Sequence, residues 1–269
     1  MIDFSNSKNN AFTYAETMIT LLVIGIVVAI IVPSLQNSFE KIVYQTSFAD
    51  TYKVFNKGLY NYSVGYAGTR TETQEDGSTV EVKKVSTLND GKLTSIHFFD
   101  EGNVIEKLAE QFRGETKNRN CWEGKEILNN FDGSGNSKTN LNDLPCFISG
   151  NHFIYTLEVL SSTCDIDMRA ESYNNKKHKL EHSCAVLYMD VNGEKAPNTF
   201  GKDVYAFIIT NNANSSLYPV GGKLMSAIPG GTKISGVSTW ENSCDAEHKD
   251  GRACAGRLVE QGMKIEYLK

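Results

Sequence analysis

Four oxygen-bearing side chains, Asp190, Asn192, Asn198 and Asp203, fall within one short stretch of the chain. Such a set could supply ligands to Ca2+, which takes about six to eight oxygens and often draws them from one loop. The competing reading, which the residue types favour, is an inter-strand loop whose Asp and Asn side chains bond its own backbone. A second polar stretch carries Asp132, Ser134, Asn136 and Asp143 at EF-hand-like spacing. It lacks the glycine at the sixth position and the bidentate glutamate that such a loop uses. No His-Glu-x-x-His, no Gly-x-Ser-x-Gly and no phosphate-binding Gly-rich loop occurs. Apart from the candidate Ca2+ loop, the chain is expected to need no cofactor and to catalyse nothing.

The six cysteines, Cys121, Cys146, Cys164, Cys184, Cys244 and Cys254, all lie at or beyond residue 121. An even number in a polar, loop-rich region suits disulfides in an oxidising compartment. No Cys-x-x-Cys pair and no Cys/His zinc spacing is present. Six cysteines allow about fifteen pairings; pairing of sequence neighbours gives Cys121–Cys146, Cys164–Cys184 and Cys244–Cys254. Apolar residues make up 40% of the 269, enough to bury a core, and charged residues make up 22%. With 27 basic against 32 acidic residues the net charge is -5. That balance argues against a domain built to grip nucleic acid, so no nucleic-acid partner is inferred.

The N-terminal region sets the class. From Thr17 to Phe39 there is no charged residue, and Met18 to Val32 is apolar on nearly every side. As a helix, about 20 such residues span a bilayer core. A helix exposed to water would show a polar stripe, and this one shows none. The residues that follow, Val32-Pro33-Ser34-Leu35-Gln36, match poorly to the small-residue cleavage site of a secretory signal peptide. Glu16 stands at the start of the apolar run. An ionisable group there is costly and needs a partner, and a plain anchor gains nothing from it. If the chain is cut between Ala11 and Phe12, the new α-amino group lies four residues from Glu16. The ammonium and carboxylate can then neutralise each other, within one subunit or between two.

The stretch Ala11-Phe12-Thr13-Tyr14-Ala15-Glu16-Thr17-Met18-Ile19-Thr20-Leu21-Leu22 resembles the class III signal of type IV prepilins and pseudopilins. That signal has a short polar leader, a small residue before the cut, Phe after it and Glu close behind. The family usually has Gly where this chain has Ala11. Pro33 matches a helix-kinking Pro that these proteins often carry, and it removes one backbone hydrogen bond. The resemblance implies cleavage between Ala11 and Phe12, N-methylation of Phe12, and assembly roles for Glu16 and Pro33.

Beyond Pro33 the helix is expected to continue as an amphipathic one. Leu35, Phe39, Ile42, Val43, Ala49, Tyr52, Phe55, Leu59 and Tyr62 recur at three- and four-residue steps. The head then reads as α+β. Strands are expected over 79–85, 94–99, 152–160, 184–191, 204–210 and 263–268, and helices over 103–112 and 252–261. Residues 68–77 and 129–143 read as polar loops. The run Asp190-Val191-Asn192-Gly193 with Pro197-Asn198, Gly201 and Asp203 is similar to a segment of many prepilin-like heads, and Cys254 to Tyr267 is similar to their C-terminal ends.

The expected organisation is a leader (1–11), a transmembrane or filament-core helix (12–33), its amphipathic continuation (34–62) and a globular head (63–269). The expected fold is α+β: a long N-terminal helix, half membrane-spanning and half amphipathic, packed on a head with an antiparallel β-sheet. The resemblance implies a structural subunit of a type IV pilus or type II secretion pseudopilus. Its partners would be prepilin peptidase, other pilin or pseudopilin subunits, the inner-membrane assembly platform and the cytoplasmic membrane. The head would lie outside the cytoplasm, first on a single-pass inner-membrane anchor and then in a filament. The alternative is a membrane-anchored extracytoplasmic enzyme or ligand-binding domain. A convergent catalytic cluster would mark it, and the sequence offers none.

Overall fold

A computed structural model describes residues 13–65, 69–73, 79–83, 104–117, 121–173, 179–210 and 217–268. Ala11, Phe12 and the strand expected over 94–99 lie outside them. The chain divides into two units, one ending at Val43 and the other running from Tyr44.

In the first unit the chain is helical from Tyr14, as part of α1 (Tyr14–Gly65), which continues through Pro33 without interruption. The described apolar side chains of this unit are bare: Leu21 is 65% exposed, Ile30 70% and Phe39 62%.

The second unit is built on an antiparallel sheet. Following α1 come a hairpin of β1 (Thr69–Thr73) and β2 (Thr79–Lys83) and a short helix α2 (Val104–Gln111). Then come β3 (Glu115–Lys117), the small pair β4 (Ile127–Leu128) and β5 (Lys138–Thr139), β6 (Cys146–Ile148), β7 (Ile154–Val159), β8 (Ser183–Asp190), β9 (Val204–Thr210), β10 (Leu217–Pro219) and α3 (Cys254–Glu260). The six-stranded sheet has the order β10-β9-β8-β7-β6-β3. Every neighbouring pair in it is antiparallel, with Leu187 opposite Phe207 and Asp190 opposite Val204 at its centre.

Successive strand residues point to opposite faces, and here both faces are apolar. Along β8, Leu187 and Met189 join one core, and Val186 and Tyr188 join the other. Along β9, Tyr205, Phe207 and Ile209 face the first core, and Val204, Ala206 and Ile208 the second. Helices close the first core: Tyr44, Phe48, Phe55 and Leu59 of α1, Leu108 of α2, and Ala255 and Leu258 of α3. Irregular segments close the second, through Trp122, Leu141, Met168, Met225 and Ile234, with Ile127 of β4. Disulfide Cys121–Cys146 lies in the second core and Cys164–Cys184 and Cys244–Cys254 in the first, all in the pairing of sequence neighbours.

Several elements differ from the sequence expectation. The apolar stripe of α1 that meets the sheet is Tyr44, Phe48, Phe55 and Leu59, with Tyr52 partly buried beside it. Leu35, Phe39, Ile42 and Val43, expected in that stripe, are exposed. Two apolar stripes overlap in this sequence, and spacing alone merges them. Part of the loop expected over 68–77 forms β1, where β-branched Thr69, Thr71 and Thr73 alternate with charged residues. The strand expected over 263–268 has no ladder. Ile265 and Tyr267 are buried and Lys264 and Glu266 exposed, so the alternation is real. The Ile265 N–H instead donates to Gln45 of α1, and Tyr267 packs on Phe131.

Phe55 carries much of the contact between α1 and the sheet. It is fully buried and stacks on Phe112 and Tyr155 at ring separations of 5.0 and 5.2 Å. Phe55→Ala is expected to destabilise the head by about 3–5 kcal/mol, with a lowered denaturant midpoint in chemical unfolding of the detergent-solubilised chain.

Candidate functional site

Two places in the molecule have features that packing alone does not explain. The first is the N-terminal segment Tyr14–Val32, 19 residues that are long and apolar enough to cross a membrane and of which none is buried. Its entry is locally organised. The Thr13 N–H and hydroxyl both donate to Oε2 of Glu16, at 2.8 and 2.9 Å, and the Glu16 N–H donates to the Thr13 hydroxyl at 3.3 Å. This is a capping box: the first helical N–H groups have no partner within the helix, and the Thr–Glu pair satisfies two donors reciprocally. Thr17 and Thr20 turn their hydroxyls back onto the carbonyls of Tyr14 and Glu16. The expectation that a plain anchor gains nothing from Glu16 is therefore corrected. Any helix starting at Tyr14 gains a cap from it. Thr13 was missed as a functional residue, although Thr-x-x-Glu before an apolar run is the sequence signature of this motif.

The second place is the loop joining β8 to β9. It brings Asp190, Asn192, Asn198 and Asp203 into one hydrogen-bonded network. Asp190, fully buried at the end of β8, accepts with Oδ1 from the N–H groups of Asn192 and Gly193, both at 2.9 Å. Asp203, fully buried before β9, accepts from the Thr199 N–H at 2.6 Å through Oδ1, and from the Asn198 N–H and the Asn192 carboxamide, both at 2.9 Å, through Oδ2. Gly193 takes a positive φ of 72°, and a Cβ there would collide with the His152 carbonyl. The loop's far end is fixed by the Tyr267 and Tyr205 hydroxyls, which donate to the carbonyls of Gly201 and Lys202 at 2.7 and 2.8 Å.

The loop thus does what the backbone-bonding reading describes, and it also leaves oxygens over. Oδ2 of Asp190, Oδ1 of Asn192 and Oδ1 of Asn198 are buried and accept no hydrogen bond. An unmet buried acceptor costs about 1–3 kcal/mol, more when it is charged. The other buried carboxylate of the sheet, Glu158, is by contrast fully engaged: the Tyr188 hydroxyl and the Lys233 N–H both donate to it. Among the described residues neither Asp190 nor Asp203 forms an ion pair. Burial raises both carboxyls above the usual carboxylate range. The charge of Asp203 adds to the rise at Asp190, and the Asn192 and Gly193 N–H groups, with the charge of Lys125, oppose it. Between β4 and β5, Asp132 instead pairs with Lys249 at 2.6 Å and lies well below the usual range, at about 2, through its bonds to Lys249 and Ser134.

Among the described residues no three His, Cys, Asp or Glu side chains gather where they could hold a metal. The β8–β9 loop offers two carboxylates and two carboxamides. Comparison with protein-family models, curated proteins and solved structures gives no match.

The raised carboxyls set a pH dependence. The folded head holds protons on Asp190 and Asp203 that the unfolded chain, with ordinary carboxyls near ~3.9, releases earlier. Their contribution to stability is full below about pH 4 and is lost as pH rises through the folded value for Asp203, about 6. In chelator, the urea midpoint is expected to fall across that window, and Asp203→Asn is expected to flatten the fall.

Proposed function

We propose that this chain is a structural subunit of a pilin-like filament, a type IV pilus or type II secretion pseudopilus, that polymerises through its N-terminal helix. The observation that carries the reading is the bare apolar segment Tyr14–Val32 at the start of a long helix. A folded protein does not leave that much apolar surface in water. Lipid covers it before assembly, and neighbouring copies of the same helix cover it in a filament core. Burial of such a segment contributes tens of kcal/mol at about 25 cal/mol per Å2, before ordering costs and lost lipid contacts.

In this reading prepilin peptidase cuts between Ala11 and Phe12, Phe12 is N-methylated, and the inner-membrane assembly platform draws the anchored subunit into a filament with its head outside the cytoplasm. The resemblance of residues 11–22 to a class III signal supports the cut, and a disulfide-bonded head suits an oxidising compartment. A head with three disulfides is large for a major repeating subunit and favours a minor or specialised one. Glu16 then acts twice: it caps its own helix through Thr13, and its charge sets register against a neighbour's Phe12 ammonium. The rival reading, a membrane-anchored enzyme or ligand-binding domain, shares the cap and needs neither the cut nor the charge.

Intact-mass and N-terminal peptide analysis of the protein from native membranes tests the cut. A chain starting at Phe12 is expected, and one starting at Met1 beside an active prepilin peptidase would move the anchored-domain reading forward. Charge and cap separate by substitution. Glu16→Gln keeps the capping box, which accepts Gln as well as Glu, and removes the charge. It is expected to insert in the membrane normally and to form filaments at a small fraction of the wild-type yield. Wild-type filament yield from Glu16→Gln would reduce Glu16 to a helix cap.

A further inference from the structure

The apolar surface of α1 does not stop where the membrane-length segment Tyr14–Val32 stops. Leu35, Phe39, Ile42 and Val43 follow it, and all four are exposed. No charged residue interrupts the chain from Thr17 to Phe39. At about 1.5 Å per residue that run makes about 34 Å of helix, against a hydrocarbon core of about 30 Å. A helix whose apolar stretch exceeds the core can tilt to fit it, and the residues flanking the core set the direction. The flank here is two-sided. At about 100° per residue, Leu35, Phe39, Ile42 and Val43 fall within about a third of a turn. Gln36, Glu40 and Lys41 occupy the rest of the circumference. The stripe ends at Val43, where the first unit ends, and Tyr44 already belongs to the first core of the head.

We propose that the lipid contact of this chain extends past the span as far as Val43. α1 tilts in the bilayer so that Leu35, Phe39, Ile42 and Val43 lie against the lipid surface on the head's side of the membrane, with Gln36, Glu40 and Lys41 turned to water. The inference rests on the membrane-anchor part of the reading above and not on polymerisation. A second copy of the helix is the other cover such a stripe could have. Helix contacts within membranes are rich in Gly, Ala, Ser and Thr, which let backbones approach closely, and this stripe is made of Leu, Phe, Ile and Val. Large apolar side chains on one side, backed by charge on the other, are what an interfacial helix presents to acyl chains. Lys41 can lay its methylene stem along that surface and keep its ammonium in water. The stripe also continues the span directly, so lipid that covers the one reaches the other without a gap.

Among the described residues all six cysteines are disulfide-bonded, so one added cysteine can carry a fluorescent probe. The full chain is labelled with NBD in Ile24→Cys, Phe39→Cys, Glu40→Cys, Ile42→Cys and Val54→Cys variants. Each is reconstituted in a large excess of phosphatidylcholine–phosphatidylglycerol vesicles that contain nitroxide-labelled lipid. Probes at positions 24, 39 and 42 are expected to shift to the blue and to lose fluorescence to the nitroxide. Those at 40 and 54 are expected to be spared, although Val54 is itself an exposed apolar residue. Phe39→Gln combined with Ile42→Gln is expected to abolish quenching of a Val43→Cys probe and to leave that of the Ile24→Cys probe unchanged. Quenching at 24 alone, with 39 and 42 no different from 54, would overturn the proposal and leave the anchor standing. Equal quenching at 39 and 40 would overturn the tilt. A probe at 39 shielded from water but not reached by the nitroxide would place a second copy on the stripe instead of lipid. Absence of quenching at 24 would remove the anchor itself, and this proposal with it.

Discussion

A sheet whose central strands are apolar on both faces must be covered twice, and the architecture of the head follows from that requirement. The eight residues of β8 and the seven of β9 are all buried. Strands of this kind occur where neither face meets water. One cover is helical and regular, from the second part of α1 with α2 and α3. The other is assembled from long irregular segments that bury Trp122, Met168, Met225 and Ile234. Irregular segments have little cooperative structure of their own, and covalent closure of their loops restricts the unfolded chain. Cys121–Cys146 therefore serves the side of the sheet that lacks helices, whereas Cys164–Cys184 lies in the helix-covered core; both end at sheet strands.

The same requirement explains how α1 changes character along its length. From Tyr44 onward it has a buried stripe and a polar remainder, as a helix between core and water should. Phe48 is typical: it meets Tyr205 edge-on at 4.5 Å and lies over Phe207. Before Val43 the described apolar side chains are exposed. That first part obeys the rule for a lipid or helix-packed environment, in which every backbone group is satisfied within the helix and apolar side chains face outward. Two of its N-terminal N–H groups, those of Thr13 and Glu16, are satisfied by the side chains of Glu16 and Thr13.

Much of this was legible in the sequence, and what was not has physical causes. The apolar run, the α+β character, the position of β9 and the cores of β7, β8 and α3 are readable because long apolar or β-branched runs bounded by turn residues have few other solutions. The cysteine pairing followed from chain proximity. The register of α1 against the sheet was not readable, because Leu35, Phe39 and Ile42 share the three- and four-residue spacing of the true buried stripe. The short strands β3, β6 and β10 escaped because three residues carry almost no periodic signal. The segment ending in Tyr267 shows the converse: alternation in burial without a ladder, since burial sets the pattern and hydrogen bonding does not.

The loop between β8 and β9 was readable as a cluster of oxygens but not as a balance of donors and acceptors. Residue types say that Asp and Asn can bond their own backbone. They do not say how many oxygens remain once that bonding is complete. Counting lone pairs on the folded loop changes the question from whether the loop is structural to what completes it. Asp190 and Asp203 close a hairpin at the centre of a sheet buried on both faces, where an uncompensated charge is costly. A proton can neutralise one of these carboxylates, but it cannot also satisfy two carboxamide oxygens.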